Sequence, residues 1–173
     1  MSDQSFDIVV LGGGSGGYAA ALRGAQLGLS VALIEGDKVG GTCLHNGCIP
    51  TKALLHAAEL ADNARDGAHF GVQTQLTGID MNGVNAYKDS VIGRLYKGLQ
   101  GLIKSRKITV FEGYGKLVAQ DTVEVNGERV TGRNVILGTG SYARSLPGLE
   151  IAGTIVAVGE GIDGGVIGQP VCA

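Results

Sequence analysis

The sequence has no apolar run approaching the roughly 20 residues needed to span a bilayer. Its start, Met-Ser-Asp-Gln-Ser-Phe-Asp, lacks the basic flank and apolar stretch of a secretory signal. Together these absences predict a soluble, cytoplasmic protein. Net charge is small: −2 at pH 7 exerts no long-range pull on nucleic acid or an anionic membrane. Cysteine is limited to three residues, which argues against a structural disulfide framework in such a chain. Internal repeats and low-complexity linkers are absent. What remains is ordinary material for a core, with 44% hydrophobic and 17% charged residues, so disorder is not expected. At 173 residues there is room for one well-packed domain but not for two complete ones.

Glycine is the residue in excess, at 31 positions, without a collagen period. It gathers at turns and in Gly-x-Gly pairs, which suits backbone that must come close to a phosphate-bearing cofactor. Asp7–Leu11 reads as a short buried strand running into Gly12-Gly13-Gly14-Ser15-Gly16-Gly17. An alanine-rich helix is predicted over Gly17–Leu27, stopped by Gly28, and a second strand over Val31–Glu35. A crossover of this kind implies a parallel sheet. In Gly12-x-Gly14-x-x-Gly17 the first glycine makes the tight turn and the second admits a pyrophosphate to backbone N–H groups. The third lets helix pack on strand, and the helix N-terminus adds positive potential. Glu35 can accept hydrogen bonds from both hydroxyls of a ribose, and its charge opposes a 2′-phosphate. With strand, helix, strand and acid in register the motif specifies a dinucleotide, without distinguishing FAD from NAD.

Further on, Pro50 is expected to open a helix reaching about Arg65, with Leu54, Ala57, Ala58 and Ala61 on one face. Residues 66–82 read as a loop. Val84, Tyr87, Val91, Leu95, Leu99 and Leu102 recur at three- and four-residue steps, with Lys88, Asp89, Arg94, Lys97 and Lys104 off that stripe. This predicts a long amphipathic helix. Strand-like runs follow at Ile108–Glu112, Thr122–Val125, Glu128–Val130 and Asn134–Leu137, with Asn126-Gly127 as a hairpin turn. The expected fold is α/β, a Rossmann-like parallel sheet with a β-α-β dinucleotide-binding unit plus a small antiparallel β-meander.

Cys43 and Cys48 stand five residues apart, a spacing that points to redox or metal chemistry. Bridging requires Cα atoms within about 7 Å. A regular helix places such residues near that limit with poor side-chain direction, so Gly47 and Pro50 are expected to distort the segment. Thiols at a helix N-terminus would have lowered pKa values and ionise readily. A zinc site would want further Cys or His ligands at close spacing; His45 and His56 do not evidently converge, and no metal is expected. His45 reads as an exposed spacer, His56 and His69 as ordinary helix and loop residues, and Cys172 as a free, frayed residue.

Gly40-Gly41-Thr42-Cys43-Leu44-His45-Asn46-Gly47-Cys48-Ile49-Pro50-Thr51-Lys52 brings the reading to a family. From Ile8 to about Leu149 the chain resembles the flavoprotein disulfide reductases, and this stretch is most similar to dihydrolipoyl (lipoamide) dehydrogenases. Glutathione and mercuric reductases share the two cysteines but usually read Val-Pro where Ile49-Pro50 stands; they and mycothione reductases are the related alternatives. Glu112-Gly113-Tyr114-Gly115 resembles the family's Gly-x-Gly stretch on the adenine side of FAD. Leu137-Gly138-Thr139-Gly140-Ser141 resembles its Ala-Thr-Gly-Ser segment, with glycine for the usual alanine.

The resemblance implies an enzyme that oxidises dihydrolipoyl groups through a Cys43–Cys48 disulfide, reduces FAD, and passes hydride to NAD. Cys43 would be the interchange thiol and Cys48 the thiol against the flavin. Lys52 would contact the flavin, and the stretch from Glu35 to Cys43, including Gly41 and Thr42, would line FAD. Gly12, Gly14, Ser15, Gly17, Gly115, Thr139, Gly140 and Ser141 would complete the cofactor-binding set. The partner would be a lipoyl-bearing protein or a small disulfide, and the full-length family is homodimeric. Residues 1–150 are expected to form the FAD-binding segment and 151–173 a divergent or truncated tail.

Members of the family are longer. They carry an NAD domain, a returning FAD segment and a dimerisation domain holding a His–Glu acid–base pair, none of which this sequence matches. Gly164-Gly165-Val166-Ile167-Gly168 echoes a second dinucleotide motif, but the residues that follow do not complete an NAD site. Uncovered sheet edges and apolar surface are then expected to limit stability or favour self-association. A non-catalytic FAD- or ADP-binding module is the rival expectation.

Overall fold

The computed structural model describes residues 4–142, 152–154 and 170–172. The chain divides into two units, Met1–Gly140 and Ser141–Ala173. In the first unit the elements run β1 (Gln4–Leu11), α1 (Ser15–Gln26), β2 (Val31–Glu35), α2 (Gly41–His45), α3 (Cys48–Asp66) and α4 (Met81–Ser105). Four strands follow: β3 (Thr109–Glu112), β4 (Lys116–Ala119), β5 (Thr122–Val125) and β6 (Glu128–Leu137). In the second unit, β7 (Ala152–Thr154) pairs antiparallel with β8 (Pro170–Cys172). The Cys172 backbone is thus paired rather than frayed. The Gly164–Gly168 echo lies outside the described residues.

The six strands of the first unit form one sheet in the order β3-β2-β1-β6-β5-β4. β3, β2, β1 and β6 are parallel, whereas β6, β5 and β4 are antiparallel. The α/β class holds, with meander and parallel strands sharing β6. Two strand-like runs separated by Thr131-Gly132-Arg133 prove to be this single strand. Gly132 makes the continuity possible, because a Cβ there would stand 2.8 Å from Val9 Cγ2, and its N–H donates to the Asp121 carbonyl at 2.8 Å. β4, which the sequence does not signal, is an edge strand with all four residues exposed, so no apolar alternation marks it.

Alternation along β1 and β2 divides the core between the two sheet faces. Val10, Val31 and Leu33 pack with Ala21, Val39, Leu44, Leu99 and Ile103 on the helical side. Val9, Leu11, Ala32 and Ile34 pack on the other side with Val123, Val125 and Val130 from the meander. Each of the fully buried Leu33, Ile34, Val9 and Val10 contributes about 1.5–3 kcal/mol by leaving water.

The helices depart from the sequence pattern in ways that shape the site. α3 starts at Cys48, not Pro50. Proline at its third position costs no helical hydrogen bond, since first-turn N–H groups have no partner within the helix. α3 buries Ala53 and Ala61, while Leu54 is 38% exposed. α4 buries only Leu99 and Ile103; Tyr87, Leu95 and Leu102 of the apolar stripe remain exposed. Only the C-terminal part of α4 reaches the sheet core, and the rest of the helix runs beside α3.

Candidate functional site

β1 delivers the chain to a turn that only glycine allows. Gly12 has φ +102°, its N–H donates to the Ile34 carbonyl at 2.8 Å, and a Cβ on it would run into the Gly138 carbonyl. A Cβ on Gly17 would run into the Gly12 carbonyl, so α1 can approach β1 only with glycine there. α1 begins at Ser15 with Gly14 as its N-cap and no capping side chain. Its first-turn N–H groups are therefore open to an anion.

The second wall of the cradle comes from the loop after β2. Gly40 (φ +115°) donates its N–H to the Gly13 carbonyl at 2.8 Å. A Cβ on Gly41 (φ +58°) would lie 2.8 Å from Gly14 Cα. Glu35 closes the arrangement, accepting from Gly13 N–H at 2.6 Å through Oε2 and from Asp37 N–H at 3.0 Å through Oε1. Each carboxylate oxygen keeps a further lone pair for a hydroxyl. Glu35 thus holds the phosphate loop as well as facing a cleft of about 300 Å³, shared with Asp37, Val39, Tyr96 and Glu112. The Tyr114 ring, 86% exposed, lies over Gly36, where a Cβ would meet it at 2.7 Å.

Gly115 serves packing: a Cβ there would stand 2.6 Å from Leu11 Cδ1 and 2.9 Å from Ile34 Cγ2. Thr139 and Gly140 follow β6 and are exposed. Exposed Ser141 opens the second unit. The open helix N-terminus, the glycine walls and the oriented carboxylate fit the ADP portion of FAD.

The two cysteines flank a break between helices. Cys43 is the third residue of the five-residue α2, with Thr42 beside it, and Cys48 is the first residue of α3. Asn46 (φ −133°) and Gly47 (φ −133°, ψ −110°) turn the chain between them. The distortion therefore lies at Asn46-Gly47, while Pro50 sits inside α3. Both thiols are free. Hydrogen bonding toward the neighbouring Cys48 side chain, which favours the protonated form, is the chief cause that holds the Cys43 thiol above its ordinary range. Desolvation and the Cys48 charge push the same way, opposed by the Cys48 backbone and the Lys52 ammonium. The expectation of lowered pKa values thus fails at Cys43. It sits inside a very short helix rather than at a helix N-terminus, and its nearest partner is another thiol.

Lys52 is exposed on α3, one turn beyond Cys48 and on the same face. Beside Cys43 opens a cavity of about 550 Å³ whose lining includes Tyr18, Leu22, Ile49, Arg94 and Leu99.

His45 is no exposed spacer. It is half-buried, with Nε2 3.1 Å from the Val39 carbonyl and its ring edge-on to Tyr96 at 5.0 Å. No local pattern signals this, because Tyr96 lies far along the chain on α4. His56 pairs with Glu59 at 3.5 Å on the surface of α3, and His69 contacts Phe70 in the short turn after it.

Comparison with known proteins gives the chain's relatives. A family model described as pyridine nucleotide-disulphide oxidoreductase matches residues 6–162. Dihydrolipoyl dehydrogenase of Bacillus subtilis is 44% identical over 168 residues, covering 90% of this chain and 35% of its own length. Dihydrolipoyl dehydrogenase of Chlamydia trachomatis is 45% identical over 153 residues, covering 87% of this chain and 33% of its own length. Leghemoglobin reductase of Vigna unguiculata is 42% identical over 157 residues, covering 87% of this chain and 30% of its own length. The chain thus spans about a third of the length of these relatives. On the match to residues 6–162, the chain belongs to the pyridine nucleotide-disulphide oxidoreductase family.

Proposed function

We propose that this chain is the flavin-binding, dithiol-bearing part of a dihydrolipoyl dehydrogenase, with residues 1–150 as that segment. The observation that carries the reading is the placement of Cys43 in α2 and Cys48 at the first position of α3, on either side of the Asn46-Gly47 break, reached by a loop that is itself hydrogen-bonded to the dinucleotide cradle. In the oxidised pair, a dihydrolipoyl thiolate attacks Cys43 Sγ, and Cys48 leaves as a thiolate. The second lipoyl thiolate then attacks the lipoyl sulfur of the mixed disulfide and releases Cys43. Two electrons pass to the protein, which becomes a dithiol, and the lipoyl group closes as a disulfide. FAD, when bound, supplies an acceptor for that electron pair.

The residues around the pair divide the work. The apolar cavity beside Cys43 receives the aliphatic ring of the substrate, which a lipoyl-bearing protein presents. Gly12, Gly14, Ser15 and Gly17 cradle the pyrophosphate, and Glu35 orients the ribose. Gly41, Thr42 and Lys52 flank the flavin side, while Thr139 and Gly140 extend the cofactor contacts. The whole enzyme would be a homodimer using NAD, to which no residue of this chain is assigned.

Visible spectroscopy of the purified chain, loaded with FAD and mixed with dihydrolipoamide, tests the proposal. Bleaching or a new long-wavelength charge-transfer band supports a working dithiol–flavin pair. A chain with no affinity for FAD or ADP overturns the reading. Since the chain spans only about a third of its relatives, the second reading is an FAD module that does not turn over; flavin that binds but stays unresponsive selects it.

A further inference from the structure

We infer that His45 is a positioning residue for the Cys43–Cys48 pair: tying the end of α2 to the β2–α2 loop and to α4, it keeps the Cys43 thiol within reach of Cys48 and so sets the pair's redox equilibrium. The inference rests on the reading of the two cysteines as a redox couple.

α2 has five residues, too few to hold a helix by its own hydrogen bonds. Glycines bound it, with Gly40 at φ +115° before it, Gly41 at φ +58° as its first residue and Gly47 after it. No side chain caps its N-terminus, and its C-cap backbone bond is Asn46 N–H to Thr42 O. Side chains must therefore fix it. Leu44 is buried against Val39 and Leu99, which anchors the middle of the helix. His45 anchors its end, through Nε2–H donated to the Val39 carbonyl at 3.1 Å and the edge-to-face contact with Tyr96, 5.0 Å between centroids and 78° between planes.

With Nε2–H on a carbonyl the bond survives protonation of the ring, so the restraint needs no titration. Closure of the disulfide is intramolecular, and its equilibrium follows the effective concentration of one thiol at the other. Freeing the end of α2 widens the volume that Cys43 Sγ explores. Loss of the imidazole is expected to lower the closure constant about tenfold, which makes the potential about 30 mV less negative.

The test equilibrates the full chain with dithiothreitol buffers of graded redox poise. After acid quench and alkylation, peptide mass spectrometry measures the Cys43–Cys48 disulfide. His45→Ala should shift the midpoint as stated, and His45→Gln, which keeps an N–H donor of similar reach, should restore most of it. The pH profile of Cys43 alkylation should keep its shape in both variants. An unmoved midpoint in His45→Ala overturns the inference, as does an ionisation step lost from the alkylation profile, which would assign proton transfer instead. Should His45→Ala fail to fold, Tyr96→Leu removes the second contact and should shift the midpoint the same way by about threefold; no shift there overturns the inference equally. A wild-type pair that never forms a disulfide sinks the redox reading itself, whereas a wild-type couple with unmoved variants sinks only the role of His45.

Discussion

Replacing Gly17 by alanine adds one methyl group at the closest approach of helix to strand in the cradle. That methyl would strike the Gly12 carbonyl oxygen, and Gly12 cannot yield. Its φ of +102°, its hydrogen bond to Ile34 at 2.8 Å and the Gly138 carbonyl beside it hold it on three sides. α1 must therefore lift from β1. Overpacking of this kind costs about 1–3 kcal/mol, offset by up to about 1 kcal/mol because alanine favours helix over glycine. Gly16→Ala is the matched control, one residue earlier in the same helix, where a Cβ meets nothing within 4 Å. There only propensity acts, and the variant should gain up to about 1 kcal/mol. The two variants should differ by about 1–3 kcal/mol, the size of the clash. Urea unfolding resolves this, since a small domain changes by about 1–3 kcal/mol per molar urea. Calorimetric titration with ADP should show weakened binding for Gly17→Ala, whose helix N-terminus has moved off the phosphate position. Equal stability of the two alanine variants, with equal ADP affinity, would refute the close-approach argument.

Gly138 offers the opposite case: its φ is not positive, and a Cβ there would find its nearest neighbours at an ordinary 3.5 Å. Gly138→Ala should match or exceed wild-type stability by about 0.4–1 kcal/mol in urea unfolding, and a loss of more than that would show the space to be absent. Cys43 is held above its ordinary range chiefly by hydrogen bonding toward the neighbouring Cys48 side chain, so Cys48→Ala should lower that pKa. Iodoacetamide should then alkylate Cys43 faster at pH 7, with the midpoint of the rate profile moved to lower pH; a slower reaction contradicts the assignment. Asp7 is held below its usual pKa by the Ser30 backbone N–H and hydroxyl, with Arg133 adding to this. Its contribution to stability is present above the unfolded value of about 3.9 and is lost as pH falls through the lower folded value. Asp7→Asn should flatten that acid limb in urea midpoints taken between about pH 5 and 2, and an unchanged limb would exclude Asp7 as its source.

Much of this protein can be read locally. The Gly12–Gly17 turn, the acid at the end of β2 and the spacing of Cys43 and Cys48 are short-range features, because tight turns and helix starts are decided by neighbouring residues. The parallel β-α-β unit follows from them. Tertiary structure decided what depends on distant partners. Gly132 lets two apparent strands become one because Val9 crosses close by. The apolar stripe of α4 meets the sheet core only at Leu99 and Ile103. The Cys43 thiol is pushed up rather than down because the break at Asn46-Gly47 turns it toward Cys48. His45 likewise becomes half-buried only because α4 brings Tyr96 to it from 51 positions away. A sequence pattern reports which residues can be buried or paired. Which of them are is settled by where the rest of the chain packs.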